Sequence, residues 1–394
     1  MRPALIATPG GKTAADQSDG ATAVLRAVLH GGPLARTAII GETGLSPAAV
    51  SRHSAELLAM GLVWEPPEPS RRPRPGRPRI PLDIETSHHV AVGVHISMAR
   101  LTFSLTDLRG GVIAHERVPR QPQHGAALHD VAARLPGFLR RYAGGRSVLG
   151  LGVVTGGWVD PDAGVLVENS ALGWRDIPLR RTLQRTVGLP VHVEGHARAL
   201  AHAELLFGAS RGGDLVHVFV GNAVDAAIAT GGVLLQGRRS GAGGIAHLPV
   251  PGSTEPCPCG RTGCLQATVS DRAVAQRAVA AGIIPHPDLR LLVRAALAGD
   301  ARAMELCRAR LRLIAHAVRP LLDLISPDAL VLTESATLRL PQLLDELIDE
   351  LESDGDQVRV GSFGTDTLAV AATAPVLAAV YRDPLGLRTA GSAR

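Results

Sequence analysis

Between residues 65 and 80 the chain reads EPPEPSRRPRPGRPRI, six prolines in sixteen residues. Proline has no backbone N–H and a fixed φ, so neither a helix nor a central strand can run through this stretch. It reads as a linker or an extended arm. A short N-terminal piece is thereby set off from a long remainder. With 394 residues, two or three domains are expected.

Composition narrows the class. The chain is 45% hydrophobic and 20% charged, that of a soluble globular protein and not of a disordered or fibrous one. The apolar run from Val148 to Val159 is short and glycine-rich, well below the ~18 residues of a membrane helix. Residues 1–20 lack a sustained apolar region and read as a loose tail, not a signal peptide. Four cysteines cannot form a disulfide scaffold, and three of them fall within eight residues. A metal-binding protein of the cytoplasm is expected, with no membrane partner.

The formal charge is +5, and its placement says more than its size. Residues 1–83 hold ten Lys+Arg against seven Asp+Glu, and the rest holds 31 against 29. Five of those ten are Arg71, Arg72, Arg74, Arg77 and Arg79. A local basic cluster is a better guide to partners than the whole-chain balance.

Residues 21–60 carry a helical pattern. Leu25, Val28 and Leu29 repeat at helical spacing; after Gly31-Gly32-Pro33 a second apolar stretch contains Leu34, Ile39 and Ile40. Gly44-Leu45-Ser46-Pro47 is a sharp turn with an N-cap serine and a proline at the first helical position. The helix expected over 47–60 turns Val50, Leu57 and Leu58 inward and Ser51, Arg52 and His53 outward, and Gly61 ends it. Two helices joined this way form either a helix-turn-helix or a plain helical hairpin. In the first case Ser46, Ala48, Ser51, Arg52 and His53 face DNA in the major groove, and Arg52 is best suited to a bidentate contact with guanine. The five arginines of 71–79, on a stiff segment, then suit a narrow, electronegative minor groove.

Beyond residue 84 short apolar strands alternate with helices, the pattern of an α/β body. Strands are expected at 90–96, 101–107, 112–118, 148–154, 191–194, 215–221, 226–232 and 329–334. Helices are expected at 125–143, 177–187, 196–207, 270–325 and 340–351, with a last strand–helix pair near 367–381. Two similar lobes are compatible with this order.

Cys257-Pro-Cys259-Gly-Arg-Thr-Gly-Cys264 places three thiols in one glycine-rich loop, and His247 lies ten residues upstream. One imidazole and three thiolates make a closed tetrahedral set suited to structural zinc, with no open position to activate water. Cys307, on an apolar helix, reads as a core residue.

A helix-turn-helix, a proline-arginine arm and an α/β body containing CPCGRTGCLQ together resemble the ROK family of repressors and sugar kinases, over roughly residues 21–382. The resemblance implies an α/β fold: an N-terminal winged helix-turn-helix followed by a two-lobed, actin-like (ribonuclease H-like) body. The expected division is a tail at 1–20, the head at 21–84, lobe 1 at 85–205, lobe 2 with the zinc loop at 206–382, and a tail at 383–394. It further implies a homodimer or homotetramer, a palindromic double-stranded DNA operator, a sugar or sugar-derived effector, and zinc on His247, Cys257, Cys259 and Cys264.

Departures from the family's kinases then separate regulator from enzyme. Where those kinases carry an Asp-x-Gly-Gly-Thr phosphate turn, this chain has His95-Ile96-Ser97-Met98-Ala99. The glycine-rich second phosphate loop is Gly221-Asn222-Ala223-Val224-Asp225-Ala226-Ala227, with side chains where backbone N–H groups approach phosphate and a negative charge expected at Asp225. The Glu-Asn-Asp-Ala-Asn segment holding the catalytic base is Glu194-Gly195-His196-Ala197-Arg198. An ATP-dependent kinase needs all of these parts, so a non-catalytic body is expected and a sugar kinase with an appended DNA-binding domain is the alternative. The sugar site is also altered: the Glu of Glu-x-Gly-His is Gly244, leaving His247 and Gln266, with Asn169 and His196 as further candidates for effector contact.

Overall fold

The computed structural model describes residues 14–67, 80–353 and 355–387, divided into a head (1–89 with 377–394) and a body (90–376). The head runs α1 (Ala14–Gly31), β1 (Leu34–Ala35), α2 (Arg36–Thr43), α3 (Pro47–Ala59), β2 (Val63–Trp64) and β3 (Pro81–Ile84). Helix α1 begins within the stretch expected to be a tail. Val24, Val28, Ile39, Val50 and Leu57 are fully buried and form the small core. Gly44, at φ 65°, turns the chain between α2 and α3, and Ser46 Oγ accepts the Ala49 N–H at 3.3 Å to cap α3. The three strands pair in the order β1-β3-β2. This succession of elements follows the order expected of a winged helix-turn-helix.

Arg71, Arg72, Arg74, Arg77 and Arg79 lie outside the described residues; the strands on either side, β2 and β3, pair antiparallel, Val63 opposite Ile84. His53 does not face outward. With Val50, Ser54 and Leu57 it falls on the i, i+3, i+4, i+7 stripe that packs inward, and only 2% of it is exposed. Its Nδ1 meets Glu56 Oε2 at 3.0 Å, and a Cβ on Gly20 of α1 would lie 2.5 Å from its Nε2. The residue is a helix-packing group, not a reader.

In the body the first lobe holds β4 (His89–Ile96), β5 (Arg100–Thr106), β6 (Val112–Pro119), α4 (His124–Tyr142), β7 (Ser147–Thr155), β8 (Trp158–Asp160), β9 (Val165–Asn169), β10 (Trp174–Ile177), α5 (Leu179–Val187), β11 (Val191–Gly195) and α6 (His196–Leu206). The second holds β12 (Leu215–Val220), β13 (Val224–Thr230), β14 (Val233–Leu234), α7 (Leu265–Val269), α8 (Asp271–Ala280), α9 (Leu289–Leu297), α10 (Ala301–Ile325), β15 (Ala329–Glu334), α11 (Gln342–Glu350), β16 (Val358–Val360) and α12 (Thr367–Arg382). The main sheets run β6-β5-β4-β7-β11 and β14-β13-β12-β15-β16. In each, the first three strands form an antiparallel meander, the first strand adjoins the fourth, and the fourth pairs parallel with the fifth, so the two lobes share one topology. Each sheet has its own apolar core, and a further cluster joins α6 to β12, β13 and Ala371.

The C-terminal segment departs from expectation twice. Residues 367–382 are all helix, and α12 packs on the first lobe's sheet although its sequence position suggested the second. Ser104 Oγ donates to Ala369 O at 2.8 Å, and Thr106 Oγ1 to Thr373 Oγ1 at 2.9 Å. Gly152 permits the approach: a Cβ there would stand 2.0 Å from Ala372 O. Gly364–Arg382 is long and apolar enough to cross a bilayer by composition, but 67% of it is buried, as in a core helix.

Candidate functional site

The loop between β14 and α7 builds the first part of the site. His247, Cys257, Cys259 and Cys264 each bring one ligand atom within 4.8 Å of the others, a group able to hold a metal ion. Cys257 Sγ lies 3.6 Å from His247 Nδ1, and Cys259 Sγ lies 3.7 Å from Cys264 Sγ. That sulfur separation is far beyond a disulfide bond of ~2.05 Å, and all four cysteines are free. Backbone ties fold the loop, with Cys257 N–H donating to Arg261 O and Gly263 N–H to Glu255 O, both at 2.8 Å. Gly263 has φ 69°, and a Cβ there would lie 2.4 Å from Ser253 O. Burial holds His247 below the usual imidazole range, which keeps the ring neutral as a metal ligand requires. A hydrogen bond from Arg261 lowers the Cys259 thiol to about 7.

Adjoining the cluster is a cavity of about 560 Å³, within the ordinary range for small-molecule sites. His247, Asn169 and Gln266 line it, together with Trp158, Glu168, Ser170, Arg198, Asp225, Arg238 and Ser240. His247 therefore belongs to both the metal group and the cavity. Gln266, two residues after Cys264, accepts the Val224 N–H at 3.2 Å and donates to Ser170 Oγ at 3.1 Å. Asn169 donates to Gly156 O at 2.8 Å and accepts the Leu172 N–H at 3.0 Å, so it shapes the wall.

His196 is not among the lining residues. Its side chain is stacked on His95, ring centroids 4.4 Å apart and Nε2 atoms 2.5 Å apart, with Phe219 edge-on, ring centroids 4.8 Å apart. Burial lowers both imidazoles, His95 to about 4 and His196 well below its ordinary value, so the pair is neutral near pH 7. The residue opens α6, and its direction of entry into the helix aims the ring at β4 and away from the cavity.

Arg198, on the next part of α6, does reach the cavity. Its Nε donates to Glu194 Oε1 at 2.9 Å, Nη1 to Leu235 O at 2.9 Å and Nη2 to Gln236 Oε1 at 2.8 Å. It thus anchors the chain entering the 237–244 loop, where Arg239 and Ser240 both have positive φ. Burial pushes the Glu194 carboxyl up, but hydrogen bonding from His202 and the Arg198 charge outweigh it, so Glu194 stays below the usual range. Asp225 behaves oppositely: burial raises it to about 8, Glu194 adds to this, and the Ala226 N–H and Arg198 only oppose it. Its expected negative charge is largely withheld at neutral pH.

Trp158, Glu168, Arg198 and Arg238 were not singled out from the sequence. One signal for Arg198 was present, since Glu194 precedes it by four residues at a helix start. The Asp-Ala-Gly turn at 162–164 between short apolar runs likewise marked the β8–β9 hairpin that presents Trp158 and Glu168.

Comparison with known proteins agrees with this architecture. Residues 91–359 match the ROK family model. Transcriptional regulator Rv0485 of Mycobacterium tuberculosis is 35% identical over 95% of this chain and 89% of its own length. The DNA-binding transcriptional dual regulator NagC of Escherichia coli is 28% identical over 85% and 87%. A ROK family transcriptional regulator, a homologue of the E. coli MLC protein, shares the fold with TM-score 0.76 over 93% of this chain and 97% of its own, at 21% identity. With two lobes of repeated topology, a His/Cys cluster opening onto the cavity and a family match spanning most of the body, this chain belongs to the ROK family.

Proposed function

We propose that the protein is a DNA-binding transcriptional repressor of the cytoplasm, a zinc-containing homodimer or homotetramer with a non-catalytic body. The observation that carries this reading is the exposed face of α3. Ala48, Ser51 and Arg52 lie on the exposed side, opposite the buried Val50, His53 and Leu57. Ser46, also exposed, uses its hydroxyl as the helix cap, so its contribution to DNA is through orientation of α3. By sequence, Arg71, Arg72, Arg74, Arg77 and Arg79 add positive charge for the minor groove. A palindromic operator follows from the two-fold symmetry of a dimer.

Zinc is the metal the donor set favours. With Zn–S near 2.3 Å and Zn–N near 2.05 Å, a regular tetrahedron has S···S edges of about 3.8 Å and N···S edges of about 3.6 Å. The 3.7 Å and 3.6 Å separations agree with those edges. His247, Cys257, Cys259 and Cys264 would complete the coordination, and the ion would brace the loop without activating water. Because His247 also lines the cavity, metal, effector and quaternary geometry are linked through one loop.

Against kinase activity stand the two imidazoles at His95 and His196, where the family's kinases carry aspartates. Neither position offers a carboxylate to take a hydroxyl proton, and Ala223 and Asp225 add side chains to the phosphate loop. A coupled ATPase assay with a panel of hexoses tests the alternative: turnover near ~1–100 s⁻¹ would restore the kinase. Gel shift against the intergenic DNA upstream of the protein's own coding sequence tests the regulator, and the absence of any specific complex would remove it. Arg52→Ala is expected to cost ~1–3 kcal/mol at one base pair and relax preference there, measured by competition with singly substituted sites.

A further inference from the structure

Among the described residues, five ionisable side chains line the cavity: Glu168, Arg198, Asp225, Arg238 and His247. Four are accounted for. Glu168 pairs with Arg175 at 2.7 Å, Arg198 with Glu194 at 2.9 Å, His247 turns Nδ1 to the thiols, and Arg238 is exposed to water. Asp225 is not. Its Oδ1 accepts the N–H of the next residue, Ala226, at 3.0 Å, and no donor meets Oδ2.

We infer that Asp225 makes the cavity selective for a ligand bearing a basic amine, an amino sugar in preference to a neutral or acidic one; this rests on the effector reading above. The position itself is informative. Asp225 lies on β13, in the stretch that is glycine-rich in the family's kinases, so its side chain is an addition to the cavity. Around it the cavity has lost polar side chains: Gly195, whose Cβ position lies 4.0 Å from Asp225 Oδ2, and Gly244 stand where sugar-binding members carry them.

Charge counting identifies the complement. Two carboxyls, Glu194 and Asp225, have one guanidinium between them, and Arg198 spends its donors on Glu194, Leu235 O and Gln236. Arg198 and His202 both serve Glu194, so an ionised Asp225 has no cation of its own. Burial raises the Asp225 carboxyl and Glu194 adds to this, with Arg198 only opposing. An ammonium supplies both the charge and an N–H donor to Oδ2. A hydroxyl supplies a donor without the charge. A carboxylate or phosphate would face Asp225 and Glu168, and could gain only from Arg238, where water weakens the pairing.

Titration calorimetry on the zinc-loaded full-length protein tests this with hexosamines of gluco, galacto and manno configuration, the parent hexoses, their N-acetyl forms and glucuronate. A hexosamine is expected to bind about 10- to 100-fold more tightly than the matching hexose and N-acetylhexosamine, from one charge-assisted hydrogen bond. Asp225→Asn should abolish that ratio, and Asp225→Gly, the kinase-like residue, should do the same, while melting temperature and zinc content report folding. A hexose or glucuronate binding as tightly as the amine, or a ratio surviving in both variants, overturns amine selectivity and leaves the effector reading intact. Failure of every sugar to bind the parent protein overturns both.

Discussion

Arg310→Met is expected to destabilise the body by about 3–5 kcal/mol, the usual cost of leaving buried carboxylates without their partner, and to lower its melting temperature by roughly 6–20 °C. Arg310 is 2% exposed on α10. It donates to Val269 O at 2.9 Å and, at 2.6 Å each, to Glu334 Oε1 on β15 and Asp271 Oδ1 on α8. One side chain thus joins three elements of the second lobe. Glu334 is further committed, since its Oε2 accepts the N–H groups of Ala336 and Thr337, both at 2.8 Å. Methionine fills much of the volume, so packing alone cannot account for a loss of this size.

The sign with pH follows from Asp271. Burial already raises its carboxyl above the ordinary value, with Arg310 opposing. Removing that opposition raises it further, so as pH falls the folded variant takes up a proton before the unfolded chain does. Its stability deficit should therefore shrink as pH falls from 7 towards 4. Adding Glu334→Gln and Asp271→Asn should recover part of the loss, because the stranded charges are gone. Chemical denaturation of the single and triple variants measures both effects; a single variant within 1 kcal/mol of the parent (about 1 kcal/mol being the worth of an ordinary net hydrogen bond) would refute the buried triad as a structural tie.

The second large effect is expected at the metal group. Cys264→Ser should abolish stoichiometric zinc and cost more than about 3 kcal/mol, given that structural zinc sites carry roughly 10–16 kcal/mol of apparent binding free energy. The damage should extend to the cavity. Cys264 directly precedes α7, and two residues on Gln266 bridges Val224 and Ser170. Elemental analysis of the purified variant, with melting curves before and after chelation of the parent, measures it. A parent purified free of zinc under non-chelating conditions, with unchanged melting, would remove the metal from this account.

The legible part of the molecule was written in local patterns. Gly44, Ser46 and Pro47 announced the turn and cap before α3 because those residues act on their own backbone. The Cys257–Cys264 loop was legible because three thiols and two glycines in eight residues have little other use. Alternating apolar strands revealed the body, and the altered phosphate and base segments around His95, His196 and Asp225 marked it as unlike the family's kinases.

What escaped depended on partners distant in sequence. His53 looked like an outward reader until α1 supplied Gly20 as its contact. His196 looked like a cavity residue until β4 brought His95 beneath it. Helix α12 joined the first lobe because Gly93 and Gly152, far upstream, left room for its backbone. Arg198, Asp225 and Arg310 likewise owe their states to neighbours from other elements. Local chemistry and periodicity are carried by adjacent residues, and so the chain alone determined the domain types, the metal-binding donor set and the family. Burial and long-range electrostatics exist only once distant segments meet, and so the tertiary structure alone decided which side chains face the cavity and which of them carry charge.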